Sequence, residues 1–317
     1  MCMSRFSGRL AGGVFAALLT VALATASACQ AGAEESTNTV APTATPTGGL
    51  SGILATTDLS VGSNRVSFLV LSPTALVDVP QVSVTSNYLS PSGSSVPKEE
   101  ASASFHLWPY GTRGNYVTEL TFDEPGDWEL IVEVEDMSGE VGTARIPLRI
   151  RETSFTPAVG SLSPMSVNKT VVDVADLGEL TSGWSPDPEL YQKTIPQAVG
   201  SGIPSVIVFA SPAYCTTPTC GPQVETVQEV KELHKDEANF IHVEVYDNPH
   251  EIKGDLSQGR YSPVVEAWGI TDIEGYLNES WVFILDMTGR IASKYEGFAS
   301  AAELEEGLLQ VLQANSL

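Results

Sequence analysis

The sequence predicts an all-β sandwich followed by an α/β domain, both set behind an export segment and a tether. Three observations carry this expectation. Residues 50–152 alternate between apolar and polar in short stretches broken by Gly, Pro, Ser and Asn. Residues 195–317 alternate apolar, β-branched runs with segments of helical period. Residues 153–194, between them, are rich in Pro and Ser and hold no sustained period, as an interdomain connection would.

The composition agrees. A length of 317 residues is enough for about two domains, and 42% hydrophobic content excludes a disordered chain. Sixteen Lys and Arg against 39 Asp and Glu give a net charge of −23. A surface that negative repels phosphate backbones, so no nucleic-acid partner is expected.

At the start of the chain, Arg5 and Arg9 precede the apolar run Leu10–Leu23, and the small residues Ala26, Ser27 and Ala28 follow it. No acid appears before Glu34. Residues 1–28 read as a secretory signal, because the apolar run is shorter than the roughly 20 residues of a membrane span. Ala26-Ser27-Ala28-Cys29 resembles a bacterial lipobox, with Ala26 where leucine is usual. The resemblance implies that Cys29 is lipidated and becomes the mature N-terminus; cleavage nearby by an ordinary signal peptidase is the alternative. Residues 29–49 are rich in Thr, Ala, Pro and Gly and cannot bury enough surface to offset ordering, so they read as a flexible tether. The expected location is extracytoplasmic, anchored to the cell membrane as a lipoprotein. Cys2 leaves with the signal, and Cys215 and Cys220 are the thiols of the folded part.

Within 50–152, the segments Arg65–Leu71, Gln81–Val84, Tyr116–Phe122 and Trp128–Val134 read as strands, and Gly139–Ile150 would close the sheet. Glu124-Pro125-Gly126-Asp127 is a turn. The run from Tyr116 to Val134 resembles extracytoplasmic immunoglobulin-like modules of the FixH/YtkA kind, which implies an immunoglobulin-like sandwich. His106 stands alone among Phe105, Leu107 and Trp108. It reads as structural, since a metal site needs several convergent ligands. A binding or spacer role is expected of this part.

In 195–317, Pro204–Ala210 is an unbroken apolar run, as a strand buried on both faces requires. Gln223–His234 places Val224, Val227, Val230 and Leu233 on one helical stripe. Phe240–Val245 reads as a strand and Val264–Trp268 as a short helix. Trp281–Asp286 and Arg290–Tyr295 form a hairpin around Met287-Thr288-Gly289, and Ala301–Gln313 is a closing helix with acids in its first turns. The order β-α-β-α-β-β-α implies a mixed sheet with helices on both faces.

Cys215 and Cys220 fall where the buried strand passes into the helix. A thiol at a helix N-terminus is stabilised as thiolate by the dipole, so Cys215 is expected to be the nucleophile. Cys220, five positions on, is near enough to resolve a mixed disulfide. The stretch Ser211–Pro222, with Tyr214 just before the first cysteine, resembles the redox site of thioredoxin-like proteins, and the likeness runs over residues 195–315. It implies a thioredoxin-like domain that performs thiol–disulfide exchange with exported thiol or disulfide proteins, without a cofactor. Tyr214, Pro218, Ser280 and Trp281 are expected to shape the site. Three departures favour slow or partner-specific exchange: the C-x4-C spacing, Ser280 in the place of the family's cis-proline, and Phe209 in the place of its buried acid.

Rival readings share the same cysteines. Cys215–Cys220 could be a structural disulfide in a non-catalytic binding scaffold, although closing so small a loop contributes only about 2–3 kcal/mol. Sco-like copper delivery would use Cys215, Cys220 and a histidine, since two thiolates and an imidazole suit a soft copper ion. Glu279 and Ser280 occupy the place of the Sco histidine, which leaves the loop residue His250; His234 and His242 read as structural. Peroxiredoxin chemistry is discounted, because Pro212 stands at the wrong distance and its threonine is missing. From Tyr191 onward 18 acids face 7 bases, which favours a partner presenting basic residues.

Overall fold

The computed structural model describes residues 49–109, 111, 113–135, 139, 141–273 and 279–314. The expected signal, Cys29 and nearly all of the tether lie outside these residues.

The alternating stretches of the first half form strands that share one antiparallel sheet. They are β1 (Ser51–Leu54), β2 (Gly62–Leu71), β3 (Gln81–Leu89), β4 (Ser95–Leu107), β5 (Gly114–Phe122), β6 (Gly126–Glu135) and β7 (Val141–Ile150), in the spatial order β1-β2-β5-β4-β3-β6-β7. The two-residue period decides what each buries: on β6, Trp128, Leu130, Val132 and Val134 point inward while Asp127, Glu133 and Glu135 face solvent. Phe68, Tyr116, Phe122 and Trp128 fill the interior.

The expectation of an immunoglobulin-like sandwich needs correction here, because the strands form one sheet that curls toward a barrel. Val61 N–H donates to Arg151 O and Arg151 N–H to Leu59 O, each at 3.0 Å, which brings the two ends of the sheet together. Contact between β1 and β7 is tight: a Cβ on Gly52 would stand 2.3 Å from Ile146 Cγ1, so only glycine fits. Continuous pairing plus the ordinary strand twist curls a sheet of this size around one core.

The sequence reading omits β1 and β4. The latter is largely exposed and carries Pro97; Ser86 pairs with Glu99 and Asn87 with Pro97, so Lys98 is an extra residue in the ladder. The bulge turns the Lys98 ammonium onto Asp123 and Glu124, at 2.8 and 2.9 Å.

Residues 152–194 hold only short 3-10 turns, at Leu177–Glu179 and Pro188–Tyr191, among elements named for this segment. They nevertheless cover the second sheet, with Leu180, Leu190 and Tyr191 buried in its core.

The second half contains α1 (Ile195–Gly200), β8 (Ser205–Ala210), α2 (Cys220–His234), β9 (Asn239–Glu244), α3 (Pro249–Ile252), α4 (Pro263–Ala267), β10 (Trp281–Leu285), β11 (Ile291–Glu296) and α5 (Ala301–Ala314). The sheet runs β11-β10-β8-β9, with β8 parallel to β9 and β10 antiparallel to both its neighbours. As expected, helices lie on both faces. Val206, Val208 and Ala210 pack with α2 and α5, whereas Ile207 and Phe209 pack with α1, α4, Trp268 and Phe283. One residue of the expected α2 stripe is misplaced: Leu233 is 63% exposed, and the buried row is Cys220, Val224, Val227, Val230, Lys231 and His234.

Buried charge ties the two sheets together. Asp58, just before β2, accepts from Phe155 N (2.9 Å), Thr156 N (3.0 Å), Thr156 Oγ1 (2.7 Å) and the Ser154 hydroxyl, with Lys294 of β11 at 3.3 Å. Glu296 of β11 accepts from Thr57 N (2.8 Å) and Asp58 N (3.1 Å). Arg65 of β2 grips Glu303 of α5 through Nε and Nη2, at 3.0 and 2.9 Å, and His106 Nδ1 stands 3.2 Å from the same carboxylate.

Candidate functional site

An apolar strand with no polar surface to spend delivers the chain to the site: β8 is buried throughout and ends at Ala210. Residues 211–219 form a loop, and α2 begins at Cys220. Cys215 and Cys220 are joined by a disulfide with a Cα–Cα distance of 5.9 Å, within the ordinary range. Their environments differ: Cys220 is fully buried, and Cys215 is partly exposed.

Here the sequence expectation shifts by five residues. It put Cys215 at the helix tip, but Thr219 is the N-cap and Cys220 the first helical residue. Pro218 supplies the reason, because a residue before proline is pushed out of the helical region and a helix does not run back through Thr217. The positive end of the α2 dipole therefore acts on Cys220, where it favours a departing thiolate.

A carboxylate completes the cluster. Glu279, just before β10, places Oε2 3.9 Å from Cys215 Sγ, a contact and not a hydrogen bond while the sulfur carries no proton. Thr217 and Thr219 donate their hydroxyls to the same oxygen, at 2.6 and 3.2 Å. Burial pushes the Glu279 carboxyl above its ordinary range, against the pull of those two hydroxyls. The sequence alone marks Glu279 only as a residue in the place of the Sco histidine; its closeness to sulfur depends on how β10 enters the sheet.

The other expected site residues are distributed as follows. Ser280 is fully buried and donates to Gly297 O at 3.2 Å, while Gly297 N–H returns a bond to Ser280 O at 2.8 Å. No cis peptide bond occurs among the described residues. Trp281 is buried, pairs with Phe209 across the β8–β10 ladder and stacks on Phe283 at 5.7 Å. Tyr214 turns inward, donating to Pro249 O at 3.2 Å and meeting the Tyr246 ring at 6.0 Å. Pro218 is exposed on the loop.

Two buried polar groups on β9 brace the loop from behind, and sequence reasoning missed both roles. His242 Nε2 lies 3.0 Å from Ala210 O, and its Nδ1 lies 2.7 Å from the Tyr191 hydroxyl. A carbonyl only accepts, so Nε2 carries the proton and Nδ1 accepts from Tyr191. Burial lowers the imidazole to about 4, and the ring is neutral at pH 7. Glu244 Oε2 accepts from Ser182 N and Oγ at 2.7 and 2.8 Å, and Ser182 Oγ accepts from Ala213 N at 3.1 Å. Both acid and imidazole sit on one face of an edge strand, which alternation alone reads as the solvent face; residues 177–191 cover it.

Burial pushes Glu244 up to about 7 against the hydrogen bonds from Ser182. A folded carboxyl that holds its proton more tightly than the unfolded chain does stabilises at low pH, and that contribution fades as pH rises from about 4.5 to about 7. His242 acts in the opposite sense between about 4 and 6.5. Glu244→Gln should therefore remove a loss of up to about 3 kcal/mol across the first window, seen as a flatter plot of Tm against pH. Parallel plots for variant and wild type would contradict this.

His250 is exposed on α3, with Nε2 3.9 Å from Glu251, and it does not join the cysteines in a three-ligand group among the described residues. The acids that do converge are Asp187, Glu189 and Glu232, and they surround the Lys231 ammonium, with Asp187 at 2.7 Å and Glu232 at 2.9 Å. A cation already occupies that cluster.

No family model matches the chain, and no curated protein matches it. Among solved structures, a thiol:disulfide interchange protein of the thioredoxin family from Chlorobium tepidum TLS is 16% identical with a TM-score of 0.33, covering 49% of this chain and 98% of that one. The alkylpurine DNA glycosylase AlkC of Pseudomonas fluorescens, bound to DNA containing an abasic site analog, is 14% identical with a TM-score of 0.19, covering 32% of this chain and 30% of that one. At these scores neither likeness carries an argument about function, which rests on the residues of this chain.

Proposed function

We propose that this chain is a thiol–disulfide oxidoreductase, held outside the cytoplasm by a lipid on Cys29, that exchanges disulfides with exported proteins. One observation carries the reading: the Cys215–Cys220 disulfide bridges the β8–α2 junction with one sulfur partly exposed and the other buried at the first helical residue. Access assigns the roles. In the dithiol form, the Cys215 thiolate attacks one sulfur of a partner disulfide, forming a mixed disulfide and releasing one partner thiolate. The Cys220 thiolate then attacks Cys215 Sγ, closing the internal disulfide and releasing the second partner thiolate. Two electrons pass to the partner, and the two protons of the cysteines go to the departing sulfurs. The same steps in reverse oxidise a partner dithiol.

Glu279 sets the pH at which this begins. An ionised carboxylate 3.9 Å from the sulfur disfavours the Cys215 thiolate. Even with full water screening, that repulsion is about 1 kcal/mol, a factor of about five in thiolate population. Glu279→Gln should therefore speed alkylation of reduced Cys215 at pH 7 by roughly fivefold or more and move its pH profile to lower pH. An unchanged profile would remove Glu279 from the mechanism.

Equilibration with glutathione buffers tests the function itself. A potential above about −300 mV is expected of an exchanging pair, whereas one far below it, with no exchange, belongs to a structural disulfide.

A further inference from the structure

We infer that residues 181–187, with Trp184 at their tip, form the docking lip for the polypeptide partner of the disulfide. The partner it fits is a chain segment with an apolar side chain beside its cysteine and basic residues around it. This rests on the exchange proposed for Cys215.

Trp184 is 99% exposed, more than any other large apolar side chain described. Scattered exposed apolar residues are ordinary, so its setting decides the matter. The backbone beneath it is pinned on both sides. Ser182 is bonded to Glu244 and Ala213, and Gly183 N–H donates to Thr181 Oγ1 at 3.0 Å. After Trp184, Asp187 caps the turn that leads to buried Leu190 and Tyr191. A fixed backbone beneath the indole leaves only its two side-chain torsions to be ordered on binding, and aromatic anchors of this kind dominate interface energetics.

The lip borders the loop that carries the reactive sulfur, since Ala213 N–H donates to Ser182 Oγ at 3.1 Å. A Cβ on Gly183 would lie 3.7 Å from the Pro212 side chain. Pro212 is three residues before Cys215, so at most about 11 Å of chain separates them. Any sulfur that reacts with Cys215 must approach to about 2 Å, which brings the chain carrying it against the surface around Cys215, where Ala213, Thr216 and Pro218 are exposed. Tyr214, the aromatic residue next to Cys215, is packed on Tyr246 and does not offer itself as that anchor. The net charge of −23 makes basic flanks the complementary ones.

The test uses the full chain in its disulfide form and three synthetic thiols: Lys-Leu-Cys-Leu-Lys, its Gly-for-Leu version and its Glu-for-Lys version, with dithiothreitol as reference. The Leu peptide should reduce the wild type roughly tenfold faster than the Gly peptide, and the Glu peptide should be slower at low salt. Trp184→Ala should lose the Leu preference while its dithiothreitol rate stays within about twofold of wild type, and Trp184→Phe should keep most of the preference. A Leu preference that survives in Trp184→Ala, or is missing from the wild type, overturns the docking lip. Failure of dithiothreitol to reduce either protein overturns the exchange reading instead.

Discussion

Cys215→Ser should lose exchange with every disulfide probe down to the uncatalysed background, and Cys220→Ser should keep the first step and accumulate a mixed disulfide on Cys215. The contrast follows from burial. Cys220 lies fully inside the core at the start of α2, so a partner sulfur reaches it only after Cys215 has been attacked. Without Cys220, no second cysteine sulfur of the folded part can resolve the adduct, and it persists. Either substitution also opens the small disulfide loop, at a cost of about 2 kcal/mol, which leaves a protein of this size folded. Intact-mass spectrometry after exposure to oxidised glutathione reads both outcomes, with circular dichroism to confirm the fold. Adducts on Cys220 at wild-type rates in Cys215→Ser would reverse the roles.

The second large effect concerns Asp58, which lies far from the sulfurs in the chain. Burial raises its carboxyl, but the Lys294 ammonium and the bonds from Ser154, Thr156 and Phe155 outweigh this and hold it below its ordinary value. Its contribution is therefore present above about pH 4 and lost as pH falls. Asp58→Ala removes the acceptor for those donors and strands Lys294, whose side chain is only 13% exposed. Breaking one partner of a buried pair costs about 3–5 kcal/mol, or on the order of 10 °C in Tm. Asp58→Asn/Lys294→Met, which removes both charges, should recover part of the loss. Thermal and urea unfolding measure both. A single variant that costs under about 1 kcal/mol would mean that this network does not join the sheets.

These two sites mark how far the sequence could be read. The strand Ser205–Ala210 was legible because it is apolar after its first residue, and the hairpin Trp281–Glu296 because turn residues separate an apolar run from an alternating one. The cysteine pair was legible as a site, while the start of α2 was not, because Pro218 blocks the helix at a point where the apolar period gives no signal. The strand Ser95–Leu107 was hidden by its acids, its proline and a solvent-facing surface. Asp58, Glu244 and Glu279 are polar residues whose burial comes from distant segments packing over them: residues 154–156 over Asp58, residues 181–182 over Glu244, and the loop 217–219 over Glu279. No local pattern encodes such cover. The curl of the first sheet was likewise invisible, since edge-to-edge bonds at Arg151 join residues about ninety positions apart.

Timed alkylation after gentle reduction reads the exchange chemistry of the pair directly. Cys215 should be labelled well before Cys220, and the unlabelled dithiol should reclose on a disulfide donor. Labelling of Cys220 first, or a bond that gentle reduction leaves intact, would contradict this.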